Sequence, residues 1–139
     1  MSGGRFGYQQ WHISDIACGI EQEVITSGKP IPRQRWEYWQ MEHFKEHPGD
    51  AVNYAYPEST LRRMEEAVYA LRRAAIYAQR TDYLICGDDG EESFEERLQK
   101  ELEELDSKSK MGENGVMYYL ADATATFFQI MEPVETVIF

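Results

Sequence analysis

The chain has 139 residues, 42% of them apolar and 28% charged, with a formal net charge of −11. That composition excludes a disordered chain and suits one domain with an ordinary core. The charge is uneven: residues 1–80 hold ten basic and ten acidic groups, whereas residues 81–139 hold four basic and fifteen acidic. Such an excess repels phosphates and argues against direct nucleic-acid binding, while permitting contact with a basic protein surface.

No apolar run reaches the roughly 18 residues of a membrane span. The opening Met1-Ser2-Gly3-Gly4-Arg5 has no apolar core behind a basic start, so no signal peptide is expected and the cytoplasm is the expected compartment. Residues 1–7 read as a glycine-rich arm. From Tyr8 to about Thr26, Trp11, Ile16, Ile20 and Val24 suggest a helix that Ser27-Gly28 ends. Lys29-Pro30-Ile31-Pro32 is a stiff connector. Arg33 to His47 reads as a second helix stopped by Pro48-Gly49, and 48–57 as a tyrosine- and proline-rich loop.

The clearest element runs from Glu58 to about Ile85, where Leu61, Met64, Val68, Leu71, Ala75 and Ala78 step by three and four. Pro57 stands near its first turn and Gly87 at its end. A fourth helix is expected from about Ser93 to Leu105. Phe94, Leu98, Leu102 and Leu105 form its apolar stripe, and Ser93 with Glu96 a capping box. Residues 107–115 read as a polar linker. Beyond it, 116–120, 126–130 and 134–139 favour strand, with 118–131 as a helix the alternative. The expected fold is thus mainly α: about four helices over 1–106, then a linker and a β-hairpin or mixed α/β appendage over 107–139 that does not fold independently.

Motifs for chemistry are sparse. Cys18 and Cys86 are far apart, and neither belongs to a Cys-x-x-Cys, so two buried reduced thiols are expected. His43 and His47 have helical metal-ligand spacing, but Phe44 stands where a zinc protease needs glutamate. Asp82, Asp88, Asp89, Glu91 and Glu92 do not follow the calcium-loop template. The run Gly87-Asp88-Asp89-Gly90 lacks the lysine of a phosphate loop. No metal, no cofactor and no catalytic residue are expected.

Three groups of residues remain as binding candidates. Asp88, Asp89, Glu91, Glu92, Glu95, Glu96, Glu103 and Glu104 offer an acidic surface that imitates a nucleic-acid backbone and suits a basic groove. Trp36, Trp39, Phe44, Tyr54 and Tyr56 are candidate apolar anchors. Arg62, Arg63, Arg72, Arg73 and Arg80, with nearby tyrosines, are the alternative: a site for a nucleotide ligand, phosphates on guanidinium and bases on rings.

The opening Met1-Ser2-Gly3-Gly4-Arg5-Phe6-Gly7-Tyr8, the stretch Leu71 to Leu84 and the run Gly87-Asp88-Asp89-Gly90-Glu91-Glu92-Ser93-Phe94 through Arg97-Leu98 resemble a group of small phage and prophage proteins. Those proteins begin Met-Ser-Gly-Gly-Ser-Phe, then an acidic or amide residue and Tyr; this chain departs at Arg5 and Gly7. The resemblance implies a phage setting in a bacterial host and assigns no catalytic residue. The expected function is a non-catalytic accessory protein that binds and inhibits a host defence or nucleic-acid-handling protein. A nucleotide-sequestering protein and a self-assembling structural protein, with possible homo-oligomers, are the alternatives.

Overall fold

The structure, a computed structural model, describes residues 4–121. It is mainly helical, with four α-helices and a small antiparallel hairpin. The helices are α1 (Gln10–Thr26), α2 (Met41–Glu46), α3 (Glu58–Ile85) and α4 (Glu91–Ser107); strands β1 (Ser109–Met111) and β2 (Met117–Tyr119) follow. The expected strands over 126–130 and 134–139 lie outside the described residues.

The 28-residue α3 is the axis, about 40 Å long at 1.5 Å per residue. Both long neighbours run antiparallel to it. Gln10 of α1 meets Gln79, and Glu21 meets Arg72; Tyr69 of α3 reaches Asp106 near the end of α4. The stripe read from sequence faces inward: Val68 and Ala75 are buried, and Leu61, Met64 and Leu71 half-buried. A Schellman motif ends α3, with Gly87 at φ +82°, its N–H on Leu84 O and the Asp88 N–H on Tyr83 O.

On α1 the expected face is turned inward only in part. Ile20 and Val24 are half-buried, Trp11 and Ile16 are exposed, and Gln10, Ala17 and Glu21 are the buried positions. Gln10 and Glu21 meet polar partners on α3.

The expected helix over 33–47 is broken. Single 3-10 turns at Arg33–Arg35 and Tyr38–Gln40 flank an extended Trp36-Glu37, and only Met41–Glu46 is α-helical. Two local bonds win over propagation. Trp36 Nε1 donates back to Ile31 O at 3.0 Å, and Glu37 and Gln40 cap each other reciprocally. Phe44 is buried against Trp36, ring centroids 5.2 Å apart at 70°. The excursion is tied at its base by a Pro30–Val52 bridge and by Gly28 N–H to Tyr54 O.

Helix α4 starts two residues earlier than expected, on Gly90, with no side-chain cap; the Ser93–Glu96 box is not formed. The supposed linker contains β1, which pairs Ser109 with Tyr119 and Met111 with Met117. Gly115, at φ +80°, and Asn114 make the turn. The hairpin packs back on α3: Tyr118 is buried under the Arg62 guanidinium, 3.7 Å from its ring centroid, and Asn114 donates to Glu66.

Candidate functional site

The most constrained region is the C-terminal end of α3. Asp82 is 4% exposed. Its Oδ1 accepts the Arg5 backbone N–H at 2.6 Å, and its Oδ2 accepts from Gln10 Nε2 at 3.1 Å. The same Gln10 nitrogen donates to Gln79 Oε1 at 2.8 Å. The Arg5 N–H, above the opposing effect of burial, holds the Asp82 carboxyl below its usual range, with further help from Gln10 and the Cys86 thiol. Gly4, at φ +53°, lies so close that a Cβ there would stand 2.3 Å from Asp82 Oδ2. The arm expected from the glycines is therefore docked, on a residue that no motif marked.

Seven residues along the chain, Asp89 is also buried. It accepts from Arg80 at 3.3 Å and from Arg97 at 3.0 Å. The Arg80 Nε also approaches Glu101 to 3.2 Å, too bent for a hydrogen bond, and its guanidinium lies 4.7 Å from the Tyr83 ring centroid. This network ties the start of α4 to α3.

The acidic candidates divide accordingly. Asp88, Glu91, Glu92, Glu95, Glu96, Glu103 and Glu104 are exposed, whereas Asp89 is buried between two arginines and does not belong to the surface. Along α4 eight acidic residues face only two basic ones, Arg97 and Lys100, and Arg97 is engaged by Asp89. Glu95, Glu96, Gln99, Lys100, Glu103 and Glu104 line one shallow, open groove.

The aromatic candidates divide too. Phe44 is buried and Trp36 half-buried against it, so both build the excursion. Trp39 is 76% exposed and Tyr54 71%; Tyr54 packs edge-on against the half-buried Tyr56. Tyr38, not among the candidates, is 93% exposed. The excursion joins α3 at Glu58 and α4 begins just past Ile85. The exposed rings and the acidic start of α4 therefore belong to opposite ends of a 40 Å helix, roughly, and do not form one patch.

The five arginines do not converge either. Arg62 covers Tyr118 and contacts Glu65, Arg63 pairs with Glu66, and Arg73 lies over Tyr77. Arg72 pairs with the buried Glu21 and lies 4.9 Å from the Tyr119 centroid. Burial works against its charge, but Glu21, with Cys18, more than offsets this and holds the guanidinium above its usual value. Arg72 and Arg80 line a common cleft. It lies between α1, α3 and α4, has a volume of about 500 Å³, and is walled also by Gln10, Trp11, Tyr83 and Tyr119. Sequence reasoning had missed Gln10 and Trp11, because contacts between α1 and α3 leave no local motif.

Cys18 is exposed and Cys86 half-buried, not two buried thiols. Cys18 sits beside Arg72 and Cys86 beside Asp82, positions ten residues or about 15 Å apart on α3, too far for a disulfide. Burial, then Asp82, pushes the Cys86 thiol up, so it stays protonated at neutral pH. The His43 and His47 rings are 4.9 Å apart, and His43 Nε2 contacts Asp50 at 2.7 Å. Among the described residues no three His, Cys, Asp or Glu side chains gather as a metal site, and no helix is long and apolar enough to cross a membrane.

Comparison of the chain with protein-family models, curated proteins and solved structures finds no match.

Proposed function

We propose that the chain is a non-catalytic binding protein that docks the outward face of α4 on a basic protein surface. The observation that carries this is the different treatment of acids at and along α4. Asp89, in the turn just before the helix, and Glu101, on its inward side, meet Arg80 and Arg97. The outward ones, Glu95, Glu96 and Glu103, are exposed along one shallow groove with Lys100 and Glu104, and Glu91 and Glu92 are exposed on the first turn. Glu91 with Glu95 and Glu92 with Glu96 repel each other at i,i+4, at about 0.2–0.5 kcal/mol per pair. A row of basic groups on a partner would turn that repulsion into attraction and steer the encounter.

The partner with this chemistry is a nucleic-acid-handling protein whose basic groove accepts a row of carboxylates in place of phosphates. The resemblance to phage proteins supplies the setting, an accessory protein that inhibits a host defence or nucleic-acid-handling complex. The three stretches that carry the resemblance meet at one end of α3, through Arg5–Asp82 and Arg80–Asp89–Arg97.

Tagged protein expressed in bacteria, treated with nuclease and washed at rising salt, tests the reading against a Glu95→Lys, Glu96→Lys, Glu103→Lys variant. Glu104 is spared because it also lines the cleft. A nucleic-acid-binding protein held by the wild type, lost as salt rises and lost with the folded variant, is the expected result. Equal retention by the variant overturns it.

A further inference from the structure

We propose that Asn114-Gly115 is a site of spontaneous deamidation, held in check by the docking of the hairpin turn on α3 and one-way once it has occurred. This is independent of the outward face of α4.

The chain has two asparagines, Asn53 and Asn114. Deamidation begins when the backbone nitrogen of the next residue attacks the side-chain amide carbon, so the next side chain governs its ease. Tyr54 follows Asn53 and crowds that approach. Gly115 follows Asn114 with no side chain, and nothing stands within 4 Å of where its Cβ would be. Asn114 and Gly115 are both exposed at the tip of the hairpin, within reach of water.

The reaction balances with water alone. Solvent hydroxide takes the Gly115 amide proton, the nitrogen bonds to Asn114 Cγ, and the Cγ–Nδ2 bond breaks with loss of ammonia. Water then opens the cyclic imide at either carbonyl. The product at position 114 is an aspartate, or an isoaspartate whose main chain runs through the former side chain and is one atom longer. Water is consumed and ammonia released in equal amounts, with no change of oxidation state.

In the docked hairpin every group that must move is engaged. Asn114 Nδ2 donates to Glu66 Oε2 at 3.0 Å, and Asn114 Oδ1 accepts the Val116 N–H at 3.1 Å. The Gly115 N–H donates to Gly112 O at 3.0 Å. Attack requires the Gly115 nitrogen to leave Gly112 and the Asn114 amide to turn toward it, so the reactive geometry belongs to the open turn. Two of the three bonds are internal to the turn. Glu66 supplies the third from α3, with its side chain 12% exposed and its other oxygen held by Arg63 at 3.0 Å.

Charge makes the change one-way. A carboxylate at position 114 has no N–H to donate, and it sets a second negative charge against Glu66 where that donor stood. An isoaspartate also lengthens the main chain between Met111 and Met117, the pair that closes β1 on β2. Both products disfavour the docked turn, so the site records how often the turn has opened.

The test follows the full chain at mildly alkaline pH by intact mass and peptide mapping, with the same chain unfolded in guanidinium chloride as reference. Conversion is expected at Asn114 and not at Asn53, and at least about tenfold more slowly in the folded chain than in the unfolded one. Glu66→Ala, which frees the amide, should speed conversion of the folded chain severalfold. Arg63→Ala, which leaves the Asn114 contact in place, should not change it. Asn114→Asp should quicken amide exchange at Gly112 and Gly115 while α3 keeps its protection. No conversion at Asn114 in the unfolded chain, equal rates folded and unfolded, an unchanged rate in Glu66→Ala, or unchanged exchange in Asn114→Asp overturns the proposal.

Discussion

The two ends of α3 solve opposite problems. At its C-terminal end, carboxylates are buried: Asp82 and Asp89 are 4% and 6% exposed, each surrounded by donors from other segments. At its N-terminal end, the 29–57 excursion leaves Tyr38, Trp39 and Tyr54 exposed and closes its base largely with backbone hydrogen bonds. Residue type alone would have placed these groups the other way round. Partners decide: an acid with two arginines is stable inside, and a ring with no cavity to fill stays outside.

The sharpest way to break the contrast is to remove the acid. Asp89→Ala leaves Arg80, whose side chain is 11% exposed, a buried cation with the misaligned Glu101 and the Tyr83 ring as its remaining partners. Removing one partner of a buried pair typically costs about 3–5 kcal/mol, and a loss near the lower end is expected by urea denaturation, since Glu101 remains. Arg97→Ala is the control. Its side chain is 61% exposed, so about 1 kcal/mol or less is expected. Equal losses from the two variants would mean that Asp89 is not the centre of the network.

At the other end, Trp36→Ala removes both the packing on Phe44 and the bond to Ile31 O. Trp36 is half-buried, so about 2 kcal/mol is expected, below the full-core range for tryptophan. Amide exchange should quicken over 29–57 while α3 keeps its protection. Trp39→Ala should stay within about 0.5 kcal/mol. Comparable losses would show that the exposed ring has a partner in solution.

Gly4→Ala tests the docked arm. The positive φ and the collision with Asp82 both oppose a side chain, and a strained position of this kind costs about 1–3 kcal/mol. Protection of the Arg5 amide should be lost at the same time. Acid does the same without mutation. The Asp82 carboxyl is held below its ordinary value near 3.9. Its contribution to stability is therefore fully present above that value and is lost as pH falls through the lower, folded-state value. The protection of the Arg5 amide relative to its intrinsic exchange rate should fall only below about pH 4; loss of that protection between pH 5 and 7 would contradict the assignment.

These cases also mark what the sequence disclosed. The long period-3.6 stripe of α3 and its Gly87 stop were legible because a helix of that length is specified mainly by its own pattern. Seven of the eight acidic candidates are exposed on the same reasoning. The partners of Asp82 and Asp89 were not legible. Arg5 and Asp82 are 77 residues apart, and nothing in either local sequence announces the other. The broken helix over 33–47 was hidden for a related reason: side-chain bonds from Trp36 and Glu37 compete with the helix at positions that are helix-compatible by composition.

The smallest expected effect is the most direct test of local against tertiary specification. Ser93 stands three residues before Glu96 and ahead of an apolar stripe, the sequence signature of a cap whose loss costs about 1 kcal/mol. In the structure Ser93 is already inside α4, which starts at Glu91 on Gly90 and carries no side-chain cap. The Phe94 N–H bonds to Gly90 O, and the Arg80–Asp89–Arg97 network fixes the entry of the chain just before that turn. Ser93→Ala should therefore change stability by less than about 0.5 kcal/mol, or raise it slightly, since alanine is the better helix former. In an Asp89→Ala background the entry is no longer pinned, and the serine is free to cap a shortened helix. There the same substitution should cost close to the full value of a cap, a non-additivity that a double-mutant cycle reads directly. A full loss in the wild-type background would place the start of α4 at the serine after all, with the ion network following the helix rather than setting it.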